Sequence, residues 1–182
     1  GRGDEVVAAL ERARALAPRQ VMVLEALSQK YGTQLRQAGT DADRRRLLDS
    51  LEGVYRSLTE ARPGRPAARY YQILAFISQQ KGDLVGAIEL LRQAVAVRPE
   101  WVDAHVDLAN ALLVSGQRDE ALAVLRRAVV RDPDDRNLIL TIGGVFSRPA
   151  GASPDDVMIV PPPTQRPRLP TARARSSSSV RS

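Results

Sequence analysis

The chain repeats itself. Leu74 and Leu108, Ala75 and Ala109, Gly82 and Gly116, Ala87 and Ala121, Leu91 and Leu125, Ala94 and Ala128, and Pro99 and Pro133 each stand 34 residues apart. Laying 68–101 on 102–135 without a gap gives nine identities in 34 positions, where average composition would give roughly two or three. A fixed period of this length restricts the fold sharply. Each unit is too small to bury its own apolar face, so successive units must stack and share a core.

Each repeated position has a physical role. Tyr71, Leu74, Ala75 and Ser78 form one stripe at helical spacing. Gly82 follows where the chain must leave that helix, because glycine adopts the left-handed conformation of a helix end at little cost. Ala87, Leu91 and Ala94 form the inner stripe of a second helix, which Pro99 stops. Small residues at Ala75, Ala87 and Ala94 let two antiparallel helices approach closely. The second unit restates the scheme with His105, Leu108, Ala109, Leu112, Gly116, Ala121, Leu125, Ala128 and Pro133.

Tyr71-x2-Leu74-Ala75-x2-Ser78 followed by Ala87-x3-Leu91-x2-Ala94-x4-Pro99 resembles the tetratricopeptide repeat, whose signature is W-x2-L-G-x2-Y, then A-x3-F, A and P. Tyr71 or His105 stands for the tryptophan, alanine for the glycine, and Ser78 or Leu112 for the tyrosine. The resemblance implies an all-α fold: a right-handed superhelical solenoid of antiparallel helix pairs, with the first helix of each pair lining a concave groove. It also implies a protein or peptide partner held in that groove.

The flanks extend the array. Leu24, Leu27, Ser28 and Tyr31 restate the first-helix stripe, and a helix is expected over about 42–61, capped by Asp41 and ended by Pro63-Gly64. Residues 21–63 thus read as a degenerate repeat. Val6, Leu10 and Ala13 ahead of Pro18 match a second helix alone, so its partner is expected before Gly1, in a longer array. Leu138, Ile139, Ile142 and Phe146 begin a further first helix, weakened by Gly143-Gly144, which is expected to cap the domain over about 136–146. The expected organisation is a helical domain over 1–146 and a disordered tail over 147–182, rich in Pro, Arg and Ser.

Composition narrows the function classes. The net charge is +6, but from Ser147 onward six arginines and two aspartates leave +4, so the preceding 146 residues carry only +2. A basic sequence pI of 10.4 therefore does not by itself make the folded part a nucleic-acid binder. There is no cysteine, and His105 is the only histidine, so thiolate, histidine-metal and His-dyad chemistry have no ligand set. No apolar run nears the roughly 18 residues of a membrane span. Catalytic residues, cofactors and metals are expected to be absent. Of 27 basic residues only Lys30 and Lys81 are lysine, an arginine bias that points to a GC-rich, bacterial source. A cytoplasmic setting is expected, or a periplasmic one where an upstream signal has been removed.

The resemblance places the groove on the stripe opposite the seam: Arg69, Gln72, Phe76, Gln79 and Gln80 in one unit, and Asp103, Val106, Asn110, Leu113 and Val114 in the next. Gln72, Gln79 and Asn110 can donate to and accept from a peptide backbone, while Phe76, Val106 and Leu113 offer apolar contact. The stretch Leu108-Ala109-Asn110-Ala111-Leu112 is similar to repeats of O-linked N-acetylglucosaminyl transferases, so an alternative is the repeat portion of a larger enzyme such as a glycosyltransferase. A carboxylate clamp is disfavoured because Lys30 and Lys81 lie off the stripe. His105 takes a packing slot and is read as a core residue. Asp134-Asp135 and Asp155-Asp156 pair carboxylates without a pocket, and Arg2-Gly3-Asp4 is read as a helix lead-in capped by Asp4. In the tail, Pro167-Arg168-Leu169-Pro170 could dock an aromatic-lined groove, and Arg173-Ala174-Arg175-Ser176 resembles a basophilic kinase site. The tail arginines give a third reading, weak contact with nucleic acid or an anionic surface.

Overall fold

The computed structural model describes residues 2–130, 134 and 136–147. Eight helices follow one another: α1 (Arg2–Leu16), α2 (Val21–Gln37), α3 (Asp41–Ala61), α4 (Ala67–Gln80), α5 (Leu84–Val97), α6 (Val102–Val114), α7 (Arg118–Val129) and α8 (Arg136–Ser147). Each packs on its neighbour in sequence, and α6 also meets α8, two elements on. The described residues thus form an all-α solenoid of antiparallel helix pairs. The tail motifs and Asp155-Asp156 lie outside them, as does Asp135.

The turns explain why the period is kept. Gly82 and Gly116 hold φ of 82° and 79°, in the left-handed region. The amide of Asp83 then donates to the Ser78 carbonyl at 2.9 Å, and that of Gln117 to the Leu112 carbonyl at 2.8 Å. Both bonds span six residues and close the last turn of the helix before them. In the first unit the Asp83 side chain also opens the next helix, accepting from the Gly86 amide at 2.8 Å. At α7 the corresponding Gln117 makes no side-chain cap bond.

Two expected caps fall elsewhere. Thr40, not Asp41, caps α3: its Oγ1 accepts from the Asp43 amide at 3.0 Å and donates to Asp43 Oδ2 at 2.7 Å. A hydroxyl can do both, and this leaves Asp41 to begin the helix, where its charge favours the N-terminal dipole. Asp4 likewise lies within the first turn of α1, which begins at Arg2.

The core falls into two clusters that meet on α4. Leu24, Leu27 and Tyr31 of α2 pack with Leu48, Leu51 and Leu58 of α3 and with Ile77. Ala75, on another face of α4, joins Ala87 and Leu91 of α5, Leu108 and Leu112 of α6, and Leu125 of α7. Ile77, absent from the expected stripe, carries α4 into the preceding unit together with the half-buried Tyr70 and Ile73. Ala87, Ala94, Ala109, Ala121 and Ala128 have no exposed surface, which is what close helix approach requires. Burial of a leucine such as Leu91 or Leu125 contributes about 2–3 kcal/mol.

Polar side chains tie neighbouring helices together. His105 is 2% exposed, and its Nε2 lies 2.8 Å from the Pro99 carbonyl, tying α6 to the end of α5. Tyr31 Oη donates to Glu11 at 2.7 Å, linking α2 to α1, and burial together with that carboxylate pushes the phenol up to about 12. Lys81 bridges to Asp49 at 2.6 Å and to Glu52 at 2.8 Å, pinning the end of α4 to α3. In α8, Leu138 is buried in the second cluster while Ile139 and Leu140 are exposed, and the helix continues through Gly143 and Gly144 to Ser147.

Candidate functional site

Among the first helices of the pairs, α4 borders α2 at a cleft and bonds to α6 through Gln72. Gln72, Phe76 and Gln80 recur every four residues along α4 and so form a line on its surface. Phe76 is 55% exposed, an unusual place for one of only two phenylalanines in the chain. It lies over a cleft of about 340 Å³ whose walls include Leu35 and Arg36 of α2, Arg44 and Leu48 of α3, and Gln80.

The other end of the line is tied to the next unit. Gln72 Nε2 donates to Asp107 Oδ2 at 2.5 Å, joining α4 to α6. Burial raises the Asp107 carboxyl above its ordinary value; the Gln72 bond opposes this, and Asp103 one turn before adds to it. Asp103 is exposed and accepts from Trp101 Nε1 at 3.3 Å. The Trp101 ring stacks against the Arg98 guanidinium, 5.4 Å from its centroid.

The expected groove residues therefore differ in what they offer. Arg69, Gln79, Gln80 and Asn110 are exposed, and Phe76 is largely so. Gln72 is half-buried and already bonded. Val106 and Leu113 are half-buried and pack against the second core cluster, and Val114 is half-buried as well. Sequence reasoning missed Asp107, Arg36 and Arg44. For Asp107 a signal existed: it occupies the slot that the previous unit fills with Ile73, and a charge in an apolar slot needs a reason. Arg36 and Arg44 lie in the degenerate unit, where register is lost, so nothing in the pattern singled them out.

Among the described residues no group of three or more His, Cys, Asp or Glu could hold a metal, and no helix is long and apolar enough to cross a membrane. Lys81 spends its charge on Asp49 and Glu52.

Comparison with known proteins agrees with this architecture. A family model described as tetratricopeptide repeat matches residues 78–140. Cellulose synthase operon protein C of Xanthomonas axonopodis pv. citri (strain 306) is 36% identical over 84 residues, which is 45% of this chain but only 6% of that much longer protein. Among solved structures, TTC0263, a thermophilic TPR protein of Thermus thermophilus, superposes with a TM-score of 0.61 at 23% identity, covering 81% of this chain and 75% of that one. MamA gives 0.60 at 19%, covering 80% and 77%. YrrB, described as a TPR protein with an unusual peptide-binding site, gives 0.58 at 14%, covering 80% and 69%. The repeat signature, the paired helices and these likenesses agree that residues 78–140 match the tetratricopeptide repeat and that the described helices take the fold of tetratricopeptide-repeat proteins.

Proposed function

We propose that the chain is a non-catalytic scaffold that holds a segment of a partner protein on the face made by α2, α4 and α6. The observation that carries this is Phe76. A large apolar side chain stands 55% exposed in the middle of a polar line, above an open cleft, while the packing seam beside it is closed. Aromatic side chains are enriched among the residues that carry binding energy at contact sites. Gln79 and Gln80, one turn on, and Asn110, at the matching position of the next unit, are exposed and able to pair with a peptide backbone. YrrB, similar in fold, is described as having a peptide-binding site, which supports the same use of the face here.

Affinity capture from the source lysate tests it, comparing the wild type with Phe76→Ala/Asn110→Ala and with a chain ending at Ser147. A partner lost with the double variant and kept by the shortened chain supports the groove. A partner lost only on shortening moves recognition to 148–182 and refutes it.

The likeness to cellulose synthase operon protein C, 36% over 84 residues, favours a second reading: these repeats form one segment of a longer array serving polysaccharide synthesis. Co-purification of cell-envelope glycosyltransferases with the native protein is expected on that reading, and their absence speaks against it.

A further inference from the structure

The α4 line is charged differently at its two ends. At one end Arg36 and Arg44 flank the cleft beneath Phe76 and Gln80. Neither forms an ion pair among the described residues; Arg36 only donates to Thr33 on its own helix, at 3.1 Å. Arg12, Arg45, Arg69, Arg126 and Arg127 likewise lack an ion pair among the described residues, but Arg36 and Arg44 are the two that wall this cleft. At the other end Asp107 accepts from Gln72, with Asp103 one turn before it on α6, and neither carboxylate has an ion pair among the described residues. Arg69, one turn before Gln72, is exposed and bridges to neither of them.

The spacing specifies an occupant. Gln72 and Gln80 are eight residues apart, which on a helix is about 12 Å. An extended chain covers that distance in about four residues. Side chains at positions i, i+2 and i+4 of an extended segment point to one side. Three side chains of one short segment can therefore meet the cleft, Phe76 and Asp107 together.

Resting on the scaffold reading, we propose that this face selects an extended peptide segment with an acidic residue, an apolar residue and a basic residue at alternate positions. The acid sits between Arg36 and Arg44, the apolar side chain lies on Phe76, and the base meets Asp107 and Asp103. A protein segment is favoured over nucleic acid on two counts. The cleft is walled by Leu35, Leu48 and Phe76, and the carboxylates at the far end repel a phosphate chain. Either chain direction satisfies the pattern.

The test uses end-capped, fluorescein-labelled nine-residue peptides of Gly and Ser with leucine at the fifth position. The first carries glutamate third and lysine seventh, the second lysine at both, the third glutamate at both, and the fourth the two opposite charges directly beside the leucine. Anisotropy at low salt is expected to show the first binding about tenfold more tightly than the others, the effect of two partly exposed ion pairs acting together. Arg36→Glu/Arg44→Glu, checked for helicity by circular dichroism, is expected to reverse the preference towards the two-lysine peptide. Equal binding of all four, abolished by Phe76→Ala, overturns the charge selection and leaves the groove standing. Binding indifferent to Phe76→Ala overturns both. No binding by the first peptide at millimolar concentration, or no change of preference in the arginine variant, overturns the selection.

Discussion

Replacing Gly82 with alanine isolates a single physical term. The backbone there sits at φ of 82°, and a Cβ built on it meets no heavy atom within 4 Å. Sterics with the rest of the protein are therefore excluded, and only the intrinsic cost of the left-handed conformation remains, about 1–2 kcal/mol for a residue with a side chain. Loss of glycine's freedom in the unfolded chain returns about 0.4–1 kcal/mol, leaving a net destabilisation of about 1 kcal/mol. Gly39 is the matched control: a Cβ there also meets nothing within 4 Å, but φ is not in the left-handed region. Gly39→Ala is expected to be neutral or to stabilise by about 0.5 kcal/mol. Urea unfolding followed by far-ultraviolet circular dichroism, with a slope of about 2 kcal/mol/M, turns the Gly82 effect into a midpoint about 0.5 M lower. Gly116→Ala, at φ of 79°, is expected to match Gly82→Ala. Equal midpoints for the Gly82 and Gly39 variants would refute the reasoning, since the two sites share open space and differ in φ.

Three further outcomes are expected. Ala94→Leu and Ala128→Leu, each at a position with no exposed surface, overpack the seam and cost about 1–3 kcal/mol apiece by urea unfolding; neutrality at both would contradict the close helix approach. Asp107→Asn keeps a partner for Gln72 and removes a charge that burial disfavours. Because the folded carboxyl is raised, its contribution to stability is present below the ordinary carboxylate range and is lost as pH rises through the folded value. The variant is thus expected to gain on the wild type at pH 7 and to lose that advantage near pH 3.5, and a gain that does not vary with pH would be evidence against this. Lys81→Met releases Glu52, whose carboxyl is held low first by the Lys81 hydrogen bond and then by Arg56. That stability is present above the ordinary range and lost as pH falls through the depressed value. The variant is expected to lose at most about 1 kcal/mol at neutral pH, discounted because Lys81 and Asp49 are solvent-exposed, and to show a flatter acid limb.

The sequence by itself determined the helix pairs where the period is strict. Gly82 and Gly116, Leu91 and Leu125, and Ala94 and Ala128 recur because each unit must end, turn and pack in the same way as its neighbour, and local chemistry suffices to read that. His105 in its packing slot was legible for the same reason. Tertiary structure alone decided what happens between units that are not copies. That Ile77 reaches back into the first core cluster while Ala75 reaches forward depends on how α4 is rotated between α3 and α5. That Arg36 and Arg44 line one cleft depends on the long α2 and α3 of the degenerate unit, which no repeat register predicts. The Gln72–Asp107 bond joins residues 35 apart in sequence, one more than the period, so it links two different slots of the repeat. Periodicity reports what neighbouring units have in common, whereas a binding face is made from what they do not share.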